Sequence, residues 1–239
     1  MDNFNLNLTS KGADSQALSK SFISTVFTYM GIGLGISAVV AYLFGTDMSY
    51  MQYLVTETGM STLGYVVTFA PIGFVLLMSL GFQRLSSTAL LALFLVYSMV
   101  MGMSLSFIFM LYTEGSVYQT FGIAAITFGV MAVLGYTTST DLTKFGSILM
   151  MALIGIIIAS LINIFLKSSG MEYIISFLGV LIFTGLTAYD VQKLKRIGSG
   201  AEFGQEGTAK LAVMGALTLY LDFINLFLFL LRFFGNRKS

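Results

Sequence analysis

Long apolar runs separated by short polar connections organise this chain. Seven runs approach or exceed the ~20 residues that a helix needs to cross a hydrocarbon core. They are Phe22–Gly45, Thr62–Phe82, Ser87–Tyr112, Tyr118–Tyr136, Phe145–Leu166, Tyr173–Val191 and Leu211–Phe234. The pattern predicts an all-α integral membrane protein, a seven-transmembrane-helix bundle over residues 22–234. A polar N-terminal tail over 1–21 and a short C-terminal tail over 235–239 flank it.

Composition agrees and removes several kinds of chemistry. The chain is 56% hydrophobic, 10% charged and contains one proline in 239 residues, with a mean hydropathy of +0.89. Such a chain is far more apolar than an ordinary soluble domain. Without cysteine there is no disulfide framework, thiol nucleophile or thiolate metal site, and without histidine the usual acid–base switch is missing. Proton chemistry near neutral pH therefore falls to carboxylates. A net charge of +1 argues against a nucleic-acid partner. The first twenty residues are polar and mixed in charge, so a cleaved signal peptide is not expected.

Lysine and arginine counts give an orientation. With seven spans, Lys11, Lys20, Arg84, Lys144, Lys193, Lys195, Arg196 and Lys210 share one side, and Lys167, Arg232, Arg237 and Lys238 the other. Eight against four favours a cytoplasmic N-terminus and an outside C-terminus. The basic C-terminal tail opposes this, and a re-entrant last segment would return it inside.

Against this background Asp190 and Asp222 stand out, because each lies at the end of or inside a strongly apolar stretch. A carboxylate in hydrocarbon costs several kcal/mol, so its presence there is a functional hypothesis by default. In the last segment Thr218, Asp222, Asn225 and Arg232 recur at helical steps and form one polar stripe, expected to face the bundle interior. Thr184, Thr187 and Asp190 recur at steps of three in the sixth. If that helix runs on to Arg196, Asp190 lies inside it. Contact between the two carboxylates then depends on tilt and on where the last helix begins. The blander reading of Asp190 is an interfacial charge beside Lys193, and that of Asp222 a structural hydrogen bond. Arg84, in a short connection, reads first as a topology determinant.

The motifs Ala188-Tyr189-Asp190, Leu219-Tyr220-Leu221-Asp222-Phe223-Ile224-Asn225-Leu226-Phe227 and Leu231-Arg232-Phe233-Phe234-Gly235 resemble the closing motifs of the Bax inhibitor-1 family of seven-helix membrane proteins, most closely its bacterial branch. Over the first five segments the resemblance rests on segment number, spacing and small residues. It implies a calcium-permeable, pH-sensitive leak in the cytoplasmic (inner) membrane. It also implies an aspartate dyad, here Asp190 and Asp222, and an arginine latch, here Arg84. Relatives can carry a basic cluster where this chain has Gly81-Phe82-Gln83-Arg84. No resident cofactor is implied; calcium enters as a permeant or weakly bound ion, and protons and the lipid bilayer are the other partners.

The chemistry of such a dyad can be argued independently. Two carboxylates within a few ångströms in a poorly solvated site cannot both ionise easily, so they titrate as a coupled pair. Deprotonated, they offer hard oxygen ligands suited to calcium, with Asn225, Thr187 and Thr218 as accessory polar lining. Calcium and protons then compete for the dyad, and protonating Asp190 releases Arg84.

Two other classes compete with a conduit. Intramembrane aspartyl proteases also place two aspartates on late helices, and Tyr189-Asp190 fits one of their motifs. Asp222, however, follows Tyr220-Leu221 and no Gly-x-Gly turn, and their Pro-Ala-Leu segment has no counterpart. A non-transporting regulator of other membrane proteins or of their proteolysis is the alternative reading. The remaining features read as packing. Gly31-Ile32-Gly33-Leu34-Gly35 lies inside a membrane segment, where close helix contact outweighs a nucleotide loop.

Overall fold

The computed structural model describes residues 2–57, 59–200 and 204–238. Met1 and Ser239 of the two tails lie outside the described residues, as do the side chains before Ala17, Lys11 among them. The element order is α1 (Asp2–Thr46), α2 (Met48–Met51), β1 (Val55–Thr56), β2 (Gly59–Met60), α3 (Thr62–Gly81), α4 (Ser87–Leu105), α5 (Ile108–Leu111), α6 (Glu114–Thr137), α7 (Thr143–Leu166), α8 (Ser169–Ser199) and α9 (Gly204–Phe234). Among the described residues, seven helical stretches are long and apolar enough to span a membrane, α4 and α5 together forming the third. The protein is an all-α seven-transmembrane-helix membrane protein. One departure is the two-residue hairpin, which pairs Val55 with Met60 and Thr56 with Gly59.

Serines start the helices that follow tight connections. The Ser61 hydroxyl accepts from the Gly64 amide at 3.0 Å, and Ser86 accepts from the Ala89 amide at 3.2 Å. Each satisfies one of the donors that a helix N-terminus leaves open. Pro71 sits inside α3, which nevertheless runs on to Gly81.

The chain divides into two contact units. The first comprises residues 1–108 and 194–217, the second 109–193 and 218–239. In the first, α1 packs on α4 at glycine range. A Cβ on Gly33 would lie 2.7 Å from the Phe94 ring, and one on Gly102 would lie 2.8 Å from the Ser37 carbonyl. The Ser37 hydroxyl donates across this contact to the Ser98 carbonyl at 2.7 Å. Of the three glycines at 31, 33 and 35, only Gly33 makes the close contact; Gly31 and Gly35 meet open space. Steps of two turn a helix by about 200°, so alternate glycines point to opposite faces.

In the second unit, aromatic rings of α6 and α9 meet edge to face. Phe121 lies 5.3 Å from Phe223 and Phe128 lies 5.6 Å from it, centroid to centroid. After α9 the chain forms a bridge between Arg237 and Tyr112. Thr113 donates to the Asn236 carbonyl at 3.1 Å, and Arg237 pairs with Glu172 at the start of α8. The tail therefore lies at the end of this unit that carries the α7–α8 connection with Lys167, as a through-running last span requires. The single 31-residue α9 leaves no break for a re-entrant turn.

Candidate functional site

Both aspartates are held well inside helices. α8 continues past the expected end at Val191 because nothing in Gln192–Ile197 breaks it, and it stops at Ser199, where the Gly200 amide donates back to Arg196 and Ile197. α9 begins at Gly204, in the left-handed region at φ 66°, seven residues before the apolar run itself.

Asp190 is 9% exposed and Asp222 5%, and their carboxyl groups hydrogen-bond to each other. Such a bond requires a proton on one of the two, since two ionised carboxylates offer acceptors alone. Burial excludes the purely interfacial reading of Asp190. Asp222 Oδ2 has no hydrogen-bond partner among the described residues. This buried acceptor points to something the protein itself does not supply.

The pair lines a cavity of about 570 Å³ bounded by α7, α8 and α9. Asn225 and Thr218 share the wall, with Ser160 on α7. The Asn225 amide donates to the Leu221 carbonyl at 2.8 Å, so its nitrogen is engaged with its own helix and its oxygen is the group left for the cavity. Lys193, one turn beyond Asp190, is exposed, also lines the cavity and exerts a Coulombic pull on that carboxyl. Most of the remaining wall is apolar, including Leu153, Ile156, Phe183 and Phe229.

The sequence reading placed two residues differently. Thr187 is fully buried, but its hydroxyl donates to the Phe183 carbonyl at 2.8 Å and it is not a cavity residue. At 100° per residue, Leu186, Tyr189 and Lys193 fall on one side of Asp190, and Thr187 falls on the other. Arg232 is exposed near the end of α9, its guanidinium 5.6 Å from the Phe229 ring. It does not continue the Thr218, Asp222 and Asn225 stripe into the cavity. Arg84 belongs to the first unit, exposed in the turn after α3, where its amide donates to the Gly81 carbonyl.

One residue near the site escaped the sequence reading altogether. Gln192 is 6% exposed; its Oε1 accepts from the Leu142 amide at 2.9 Å and its Nε2 donates to the Thr140 carbonyl at 2.8 Å. It clasps the α6–α7 connection to α8 two residues from Asp190. The available signal was an uncharged amide within the run Val191-Gln192-Lys193-Leu194-Lys195-Arg196, at a position where a solvated face would take another charge. Nearby, the backbones of α6 and α8 approach at Gly135, where a Cβ would lie 2.8 Å from Ala188 Cα.

As a cation site the cavity offers the two carboxyl groups, the Asn225 amide oxygen and the Thr218 hydroxyl. Among the described residues no third acidic side chain, histidine or cysteine joins them. Calcium takes six to eight oxygens, so water would complete a shell here and binding would be weak.

Fold and site together define a multi-pass membrane protein with a buried, hydrogen-bonded acid pair. Residues 19–239 match the family described as inhibitor of apoptosis-promoting Bax1, and the chain belongs to that family. It is 42% identical to the inner membrane protein YbhL of Escherichia coli K12 over 220 residues, 92% of this chain and 93% of YbhL. It is also 48% identical to an uncharacterised protein of Borreliella burgdorferi over 222 residues, 93% and 94% of the two chains. With the Rickettsia prowazekii protein RP147 it shares 42% identity over 237 residues, 98% and 97% of the two.

Proposed function

We propose that this protein is a pH-sensitive calcium leak of the inner membrane whose conduction is set by the proton shared between Asp190 and Asp222. The single observation that supports this reading is the buried carboxyl pair, joined by a hydrogen bond that needs a proton and lining a cavity with one acceptor oxygen left over. Removal of that proton gives two anionic oxygen ligands facing the same space, which attract a divalent cation. Addition of a second proton removes the negative charge. Protons and calcium are therefore competitors for one site, and calcium is cargo held weakly. The inner-membrane placement is supported by the apolar spans and by YbhL, an inner membrane protein.

The test is calcium entry into liposomes that contain only the purified protein, from pH 5 to 8. Asp222→Asn and Asp190→Asn each replace the shared acid with a group that cannot titrate. Both are expected to change the pH dependence, because the carboxyl that remains titrates alone and no longer as one of a coupled pair. Wild-type pH dependence in both variants refutes the proton switch. Absence of flux from the wild type at every pH moves the reading to a non-transporting regulator. The latch role proposed for Arg84 predicts higher flux at neutral pH in Arg84→Gln; unchanged flux removes it.

A further inference from the structure

The cavity over the acid pair is far larger than a cation requires. A water molecule occupies about 30 Å³ of liquid volume, whereas this space measures about 570 Å³. That falls within the roughly 300–1,000 Å³ typical of pockets for small organic ligands. Its walls are chiefly hydrocarbon and aromatic: Leu153, Ile156, Phe183, Leu186, Leu221 and Phe229. Three residues of α7 that line it, Met150, Ile157 and Leu161, are also 48%, 51% and 56% exposed. They lie within a membrane span, so their exposed surface is lipid-facing, and the cleft has an apolar rim on the bilayer side.

An apolar body with one cationic end matches this arrangement. With one shared proton the acid pair carries a single negative charge, and an alkylammonium group neutralises it. Its N–H groups supply the donor that Asp222 Oδ2 lacks. Phe183 and Phe229, stacked on each other with ring centroids 5.7 Å apart, add aromatic surface to the wall for the apolar body. The hydrated ion, by contrast, gains nothing from hydrocarbon walls.

We infer that this cleft is a binding site for a lipophilic amine entering from the bilayer, its ammonium on the Asp190–Asp222 pair and its apolar body against α7 and Phe229. This deepens the proposed function and rests on the same ionisable pair, but it does not depend on conduction. Binding is read with radiolabelled 4-phenylbutylamine on the full chain in lipid nanodiscs at pH 7, with 4-phenylbutanol as the uncharged competitor. Saturable binding is expected, weakened about ten- to a hundredfold by Asp222→Asn and abolished by Ile157→Trp, which fills the cleft without touching the acids. The alcohol should compete poorly. Non-saturable partitioning, binding unchanged in both variants, or equal displacement by the alcohol overturns the inference.

Calcium flux measured on the same preparations separates the two claims. Asp222-dependent flux without saturable amine binding overturns the amine site and leaves the leak standing. Asp222-dependent amine binding without flux supports the amine site and refutes the leak.

Discussion

Replacing Gln192 tests how the site is held. Its side chain makes two hydrogen bonds to the backbone of the α6–α7 connection, to Leu142 N–H and to the Thr140 carbonyl. A net intramolecular hydrogen bond contributes about 1 kcal/mol, so Gln192→Leu, close in volume, loses roughly 2 kcal/mol. The full penalty for orphaned groups does not apply, because Thr140 is exposed and Leu142 only half-buried, so water replaces the lost partner. At about 1.4 kcal/mol per factor of ten, the Leu142 amide should exchange with deuterium about 30-fold faster, if its protection comes from this clasp. Gln192→Glu sharpens the test. An ionised carboxylate still accepts from Leu142 but cannot donate to Thr140, so Leu142 protection should largely survive, while thermal stability falls at least as far as in Gln192→Leu because the charge is buried and faces a carbonyl oxygen. Hydrogen–deuterium exchange with peptide resolution across residues 138–146, together with thermal unfolding in one detergent, reads both quantities. Unchanged Leu142 exchange in Gln192→Leu refutes the clasp as the anchor of this connection.

Further outcomes follow from packing and charge. Gly135→Ala places a methyl group 2.8 Å from Ala188 Cα, deep in van der Waals overlap, and should destabilise by about 1–3 kcal/mol. Gly122→Ala meets open space on the same helix and should be neutral or stabilise by up to about 1 kcal/mol; thermal unfolding of the two should differ in sign. A double-mutant cycle on Glu172→Gln and Arg237→Gln should give a coupling of about 0.5 kcal/mol that shrinks in high salt, because the side chains are 35% and 60% exposed. Asp47 lies in the connection before α2, where hydrogen bonds from the Ser49 hydroxyl and amide hold its carboxyl below the usual aspartate value. A lowered folded-state value means that its contribution is present above the unfolded value and is lost as pH falls through the folded one. A carbon-13 NMR titration of Asp47 should move up in Ser49→Ala; an unmoved titration removes the hydroxyl as the cause.

The seven spans were legible in the sequence because the bilayer imposes one local rule, a run of apolar residues long enough to hide its own backbone hydrogen bonds. The two aspartates were legible for the same reason, since a carboxyl group amid residues such as Leu219 to Leu231 violates that rule and demands an explanation. Helix ends were less so. α8 and α9 run past the apolar boundary at Val191 and Leu211 into polar sequence that keeps helical bonding without needing lipid.

Only the tertiary structure decided whether the acids meet. Asp190 lies nine residues before the end of α8 and Asp222 eighteen after the start of α9. That nine-residue offset is ~14 Å along an axis, and the two helices are staggered to absorb it. Stagger is set by packing of Phe183 and Gly179 on Phe229, residues far apart in the chain. Elsewhere the same holds: Gly33, and neither Gly31 nor Gly35, is the contact glycine because α4 packs on that face of α1, and Gln192 finds its backbone partners fifty residues away in the α6–α7 connection. Local pattern determines what must be buried in the membrane; which buried groups touch is a property of interlocking surfaces, and no single segment encodes it.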